Sequence, residues 1–152
     1  MKKISIVLVL LWMSTIFYFS NQPATISTTQ SDKEISTINI MVKDNKVMKN
    51  ILNKLYDSKG ASFIIRKSAH MISYGLLASL LFIAIYSHRE YISVSFKYAF
   101  TISLLYAVSD EIHQYFVPGR ACMLQDVLID CIGMLIGLTL ISMLYKFIIN
   151  KA

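Results

Sequence analysis

Four long apolar segments restrict what this chain can fold into more than any other feature of its sequence. A transmembrane α-helix needs roughly 17–25 mostly apolar residues to cross a hydrocarbon core of about 30 Å. The segments that meet this requirement cover residues 4–20, 68–86, 98–116 and 123–149. The sequence therefore predicts an all-α fold, an integral membrane bundle of four transmembrane helices.

The composition agrees with a membrane protein that forms one domain over residues 1–152. Hydrophobic residues make up 55% of the chain, charged residues only 16%, and the mean hydropathy is +0.55. These values are too apolar for a soluble domain of this length. In a soluble protein the net charge of +6 would point to nucleic acid. In a membrane protein, basic loops that meet anionic lipid headgroups explain it, and we expect no nucleic-acid partner.

The first apolar segment decides the orientation that we expect. It follows Lys2 and Lys3, ends in bulky aromatic residues and precedes no small-residue cleavage site, so we interpret it as a retained helix rather than a signal peptide. The Lys-Lys start favours N- and C-termini in the cytoplasm of a multi-pass membrane protein. The polar loop over residues 21–67 then lies outside. Within it, residues 46–57 predict a short amphipathic helix, either on the membrane surface or packed over the bundle.

Unusual polar residues lie at the helix ends that share one side of the membrane. Because successive spans alternate in direction, the end of the first, the start of the second, the end of the third and the start of the fourth lie on one face. Polar side chains concentrate there, in "FSNQP" (19–23), "RKSAH" (66–70), "SDEIHQ" (109–114) and "QDVLID" (125–130). The sequence thus predicts one polar pole, which is extracytoplasmic when the N-terminus is inside.

Helical spacing arranges these residues in stripes. Polar or small residues recur at i, i+4 and i+7 on three helices, and each set lies within about 60° of arc. The sets are Arg66, His70 and Ser73; Tyr106, Asp110 and His113; Asp126, Asp130 and Gly133. An ionised side chain at mid-helix costs about 2.5–3.5 kcal/mol in lipid, so the stripes should face each other. We expect the three basic residues of the cluster to pair with its four acids: Arg66, Lys67 and Arg120 with Asp110, Glu111, Asp126 and Asp130.

Two interpretations of this cluster remain open from the residues alone. Gly133 and Gly137 allow close helix approach, and intramembrane acids paired with arginines can serve only as structural contacts between helices. On the other hand, four of the nine acidic residues lie between residues 110 and 130. Polar clusters inside membranes are costly and usually functional, which favours a site.

The motifs "RKSAH…Y" and "YAVSDEIHQYFVPGR…QDVLIDCIGMLIG" resemble the VanZ-like family of bacterial membrane proteins. The resemblance covers nearly the whole chain, and its "DEIHQ…PGR…D…D" portion is specific. It implies a small four-span protein with an outward-facing motif cluster. It also implies a link to resistance against teicoplanin, a lipoglycopeptide that acts on cell-wall precursors outside the membrane, but no established reaction. Ser73 departs from the pattern, because family members often carry Glu there, and this weakens any mechanism that needs an acid at that position.

Two functions compete, and a third fits less well. The protein is either an enzyme that acts on a lipid or a lipid-linked wall precursor, or a non-catalytic binder of lipid or lipopeptide that modifies the envelope. A transporter fits less well because the polarity occurs at one pole only. Crowded carboxylates and histidines suit acid–base chemistry. The candidate catalytic residues are His70, Asp110, Glu111, His113, Asp126 and Asp130.

Basic and amide side chains at the same pole suit substrate binding, since arginine and lysine can hold a phosphate group. The candidate binding residues are Ser20, Gln22, Arg66, Lys67, Tyr74, Gln114 and Arg120. We expect no cofactor and no metal ion, because no known ligand spacing is present. The expected partners are a membrane lipid, a lipid-linked wall precursor or the lipoglycopeptide itself, and the sequence does not indicate an oligomeric state.

Overall fold

The computed structural model describes residues 2–41 and 61–150 of the chain. The helices in these ranges are α1 (Lys2–Ser20), α2 (Ala24–Met41), α3 (Ala61–Arg89), α4 (Ile92–Gln114) and α5 (Leu124–Ile149). Four of them, α1, α3, α4 and α5, are long and apolar enough to cross a membrane. The predicted all-α fold class with four membrane-spanning helices is therefore confirmed.

Helix α3 lies at the centre of the bundle and packs against each of the other four helices. The largest fully buried apolar side chains come from α3 and α5, and they are Tyr74, Leu77, Phe82, Met134 and Leu138. Large apolar side chains on the outer faces, such as Leu105 and Leu140, stay exposed. A soluble monomer rarely exposes so much apolar surface, so these faces are suited to contact with lipid.

Glycines set the distance between α3 and α5. A Cβ atom at Gly133 would lie 1.9 Å from the carbonyl oxygen of Met71, and one at Gly137 would lie 2.3 Å from that of Gly75. The two backbones therefore touch along this line. Small residues allow such approach, and van der Waals packing drives helix association where lipid is as apolar as the helices. This contact brings the start of α5 against the first half of α3.

The structure differs from the predicted loop over residues 21–67, which contains α2 and the first turns of α3. Helix α2 is polar, so it lacks the apolar run that marks a span. Its support is tertiary: it packs on α3, and the Ala24 N–H donates to the Pro118 carbonyl at 3.2 Å. The amphipathic helix predicted over residues 46–57 lies outside the described residues.

Two of the membrane helices begin earlier than hydropathy predicts. Helix α3 begins at Ala61 rather than residue 68, and α4 begins at Ile92 rather than residue 98. Hydrogen bonding continues a helix through polar residues that a hydropathy window rejects. The consequence for the polar pole is that Arg66 and Lys67 are helical.

Candidate functional site

The polar ends of the four membrane helices meet at one end of the bundle. Ser20 Oγ, at the end of α1, donates a hydrogen bond to Asp110 Oδ2 on α4 at 2.7 Å. Lys67 on α3 forms an ion pair with Asp126 on α5. We call this end the polar pole, and its residues are Ser20, Gln22, Arg66, Lys67, His70, Asp110, Glu111, Gln114, Arg120, Asp126 and Asp130.

Two of the four acids have evident structural partners. Glu111 Oε2 accepts a hydrogen bond from the backbone N–H of Met123 at 3.0 Å. Met123 is the N-cap of α5 and has no capping side chain of its own, so Glu111 supplies the acceptor from α4. Asp126, in the first turn of α5, is paired with Lys67. Both contacts hold the start of α5 in place.

Asp110 organises a chain of hydrogen bonds that ends at Arg120. Its Oδ2 accepts from Ser20 Oγ and, at 3.1 Å, from Gln114 Nε2. The opposite side of the Gln114 amide, Oε1, accepts from Arg120 Nη1 at 3.1 Å. Since a carboxylate only accepts hydrogen bonds, Asp110 fixes which end of the Gln114 amide faces the arginine. All three residues on the Asp110 side, Ser20, Asp110 and Gln114, are buried.

Arg120 does not pair directly with the buried acids, and that expectation was wrong. Its Nε donates to the Gln22 carbonyl at 2.9 Å and its Nη2 to the Phe19 carbonyl at 3.3 Å, and Gln114 stands between it and Asp110. The Phe19 carbonyl lies in the last turn of α1, at the negative end of the helix dipole, which attracts a cation, and Gln22 follows two residues after the helix ends. Burial lowers the pKa of Arg120, and the nearby charge of Arg66 lowers it further.

A tight turn delivers Arg120 to this position. The Arg120 N–H donates to the Val117 carbonyl at 3.1 Å, and Gly119 has a φ of +76°, a conformation that side-chain-bearing residues rarely adopt. A Cβ atom at Gly119 would also lie 3.1 Å from the Cβ of Ala24 at the start of α2. The "VPGR" segment therefore positions the Arg120 guanidinium beside the junction of α1 and α2.

His70 and Asp130 form the second centre of the polar pole. His70 Nδ1 lies 4.0 Å from Asp130 Oδ1, and the Asp130 side chain is 1% exposed. The imidazole also stacks on the ring of Tyr74, with 6.3 Å between ring centroids. These two contacts orient the imidazole from α3 and α5.

Several buried polar atoms around this centre have no hydrogen-bond partner among the described residues. They are Asp110 Oδ1, Glu111 Oε1, Asp130 Oδ1 and the Tyr74 hydroxyl. Most buried polar atoms in proteins are hydrogen-bonded, and unsatisfied ones mark strain reservoirs or sites where water, protons or ligands act. Within the described residues, no group of three His, Cys, Asp or Glu side chains is arranged to hold a metal ion.

Two cavities meet at the polar pole. The first, of about 240 Å³, lies between α1, α2 and α3, and we call it the α1 cavity. The second, of about 250 Å³, lies between α3, the start of α2 and the "VPGR" turn, and we call it the turn cavity. Arg66, His70 and Arg120 line both cavities. A ligand held by these three side chains would therefore have space on two sides.

The remaining candidate residues occupy other places. His113 lies outside both cavities: its Nε2 is 3.3 Å from Asn21 Oδ1, and its ring packs on Phe17 with centroids 4.7 Å apart. Tyr74 is fully buried behind His70. Gln22 contributes its backbone carbonyl to Arg120.

The apolar wall of the α1 cavity was not among the predicted site residues. Trp12, Ile16 and Phe19 belong to this wall. In the sequence they are indistinguishable from the lipid-facing residues of α1, so periodicity alone could not have identified them.

Comparison with known proteins identifies the family to which the chain belongs. Neither a curated protein nor a solved structure matches the chain. The family model described as VanZ/LLP1 matches residues 5–146, which include every residue of the polar pole. Because this match covers nearly the whole chain, the protein belongs to the VanZ/LLP1 family.

Proposed function

We propose that this protein resides in the bacterial cytoplasmic membrane and lowers susceptibility to lipoglycopeptide antibiotics such as teicoplanin. In this proposal the polar pole faces outward and acts on an anionic lipid or a lipid-linked wall precursor. Family membership supports the resistance phenotype, and the two arginines of the pole support the anionic ligand.

The observation that carries the proposal is the environment of Arg66 and Arg120. Neither forms an ion pair with another described residue, although four acids lie in the same pole. Arg120 uses three of its five N–H donors on Gln22, Gln114 and Phe19, which leaves one N–H on each terminal nitrogen.

The two guanidinium groups also repel each other: the charge of Arg66 lowers the pKa of Arg120, and the charges of Asp110, Glu111 and Asp126 act in the opposite direction. An anion between them would relieve that repulsion, and guanidinium groups bind phosphate and carboxylate through paired N–H donors. Lys67 is less suited to this role because Asp126 already compensates its charge.

A phenotype test with matched variants checks the proposal. Arg66→Gln should abolish the protection against teicoplanin in a sensitised bacterium, because it removes one of the two ligand-facing charges. Arg89→Gln is the control: it makes the same change in the same helix, at the opposite end of the bundle. Full protection by Arg66→Gln at normal membrane abundance would contradict the proposal, as would equal loss in both variants.

A second candidate function, catalysis on the bound amphiphile, is favoured by the His70–Asp130 pair. Asp130 Oδ1 lies 4.0 Å from Nδ1 without a hydrogen bond, so a closer approach of the two side chains would be needed for the acid to hold the imidazole in the tautomer that leaves Nε2 as the proton acceptor. His70 lines both cavities next to the arginines, where a substrate would lie. A His70→Gln variant that binds ligand normally but fails to protect cells would support an enzyme. Normal protection by that variant would support a binder.

A further inference from the structure

The α1 cavity has an apolar wall that is already formed. Trp12, Ile16 and Phe19 line it from α1, and Ile65 and Ala69 line it from α3. The indole Nε1 of Trp12 donates to the Ser73 carbonyl at 2.9 Å, which fixes the ring against α3. Ile16 is buried, so the wall is held by packing on both sides. This wall suits a hydrocarbon group, while polar side chains such as Gln30 and the two arginines line the rest of the cavity.

The turn cavity differs in the kind of side chain that lines it. Met123 is a large apolar side chain there, and the Lys67–Asp126 ion pair, Gln114 and the chain around Gly119 complete the lining. Donors and acceptors are therefore available to a headgroup. The two cavities touch at the three side chains that both share, two of which are the arginines.

From this arrangement we infer the order of groups in the ligand, an inference that rests on the proposed function. The ligand is an amphiphile with a phosphate in the middle: its hydrocarbon chain enters the α1 cavity, its phosphate lies between Arg66 and Arg120, and a polar group beyond the phosphate occupies the turn cavity. Charge complementarity places the phosphate, and the character of each cavity wall places the other two parts. A lipid that ended in the phosphate would leave the turn cavity unused.

Small probes test each part separately, with the protein held in a phosphate-free, non-ionic maltoside detergent and protein-free micelles as the blank. The probes are inorganic phosphate, butyl phosphate, hexyl phosphate and the hexyl diester of glycerol phosphate. Each methylene removed from water should raise affinity about fourfold. Hexyl phosphate should therefore bind at least tenfold more tightly than butyl phosphate. The glycerol diester should bind more tightly than hexyl methyl phosphate, which is added as its reference because both diesters carry a single charge.

Two alanines provide a matched pair of variants. Ala69 lines only the α1 cavity and Ala121 only the turn cavity, and both are exposed. Ala69→Phe should remove the dependence of affinity on chain length. Ala121→Phe should keep the chain-length dependence and remove the gain from glycerol. If Ala69→Phe does not fold, Thr15→Leu narrows the same cavity from α1.

The possible failures are distinguishable. If no probe binds the wild-type protein, the proposed anion site fails and the inference fails with it. Phosphate could bind with an affinity of the alkyl probes that does not depend on chain length, or Ala69→Phe could leave that dependence unchanged. In either case the anion site is supported, and the assignment of the hydrocarbon chain to the α1 cavity is wrong. If the glycerol group adds nothing in the wild-type protein, the phosphate is terminal and the order of groups is wrong.

Discussion

At the scale of single residues, the polar pole depends on how each hydrogen-bonding group is oriented. Gln114 has two chemically different amide ends, and Asp110 decides which of them meets Arg120. Arg120 in turn connects α4 to the carbonyls at the end of α1. The acid is thus a structural support for the cation and not its direct partner. Because Gln114 stands between Asp110 and Arg120, the charge of Arg120 is available to a ligand.

Truncation of Arg120 tests its role as a connector. Arg120→Ala removes three hydrogen bonds from a partly buried region, and we expect a loss of about 1–3 kcal/mol in stability, measured as thermal unfolding in detergent. Arg120→Lys should recover only part of the loss, because an ammonium group cannot reproduce the planar guanidinium fork. Arg89→Ala, at the exposed opposite end of α3, should change little. An unchanged melting temperature for Arg120→Ala would show that these bonds do not support the fold.

Asp110 offers a second test at this scale. Asp110→Asn retains one oxygen acceptor for Ser20 or Gln114, whereas Asp110→Ala leaves the buried Ser20 hydroxyl without an acceptor and Gln114 Nε2 with only its 3.3 Å bond to Ser20 Oγ. An unsatisfied buried donor costs about 1–3 kcal/mol, so the Ala variant should melt well below the Asn variant. Equal melting temperatures would mean that these hydrogen bonds contribute nothing measurable.

At the scale of helices, the contact between α3 and α5 positions the His70–Asp130 pair. Asp130 lies one turn before Gly133, where the two backbones touch. The pair therefore exists at its observed distance only because α5 carries no side chain at that contact. The same glycines that favour packing also serve the candidate site.

Gly133→Ala should separate these helices, since its Cβ would lie 1.9 Å from a backbone oxygen that cannot rotate away. Overpacking typically costs 1–3 kcal/mol and occasionally more, so we expect a lower melting temperature together with weaker ligand binding. Leu135→Ala alters an exposed, apolar position on the same helix and is the control. A Gly133→Ala protein as stable as that control would contradict the close packing.

At the scale of the whole molecule, the buried ionisable cluster lies at one end of the bundle, and aromatic side chains pack between α3 and α5 toward the other end. Phe82 and Tyr86 on α3 pack around Tyr145 on α5, with ring centroids 5.4 and 4.7 Å from that of Tyr145. Among the described residues, these rings lie between the polar pole and a cavity of about 680 Å³ at the opposite ends of α3, α4 and α5. The arrangement suits a site that serves one membrane face better than a path through the membrane.

The side on which the pole lies can be measured with a native residue. Cys122 is exposed beside the pole, in the segment between α4 and α5. With the N-terminus inside, Cys122 faces outward and should react with an impermeant maleimide in intact cells. Cys122→Ser should remove that labelling, because Cys131 is less exposed and lies within α5. Labelling that appears only after the cells are opened would reverse the orientation and place the pole in the cytoplasm.

The sequence by itself determined the class of the protein, its four spans and the convergence of polar ends. Those properties depend on local hydropathy, helical periodicity and the alternation of spans, all of which are present in the order of residues. The Lys67–Asp126 pair could be anticipated in the same way, since opposite charges on facing stripes attract.

Only the tertiary structure decided how the polar residues are used. Arg120 binds backbone carbonyls at and just after the end of α1 instead of a carboxylate. This choice of partner depends on the Gly119 turn and on the position of Gln114. The sequence likewise did not predict the polar helix α2 or the apolar wall around Trp12, because their roles arise from contacts with α3. Distances between helices are set by packing across the bundle, and no local pattern in a single helix encodes them.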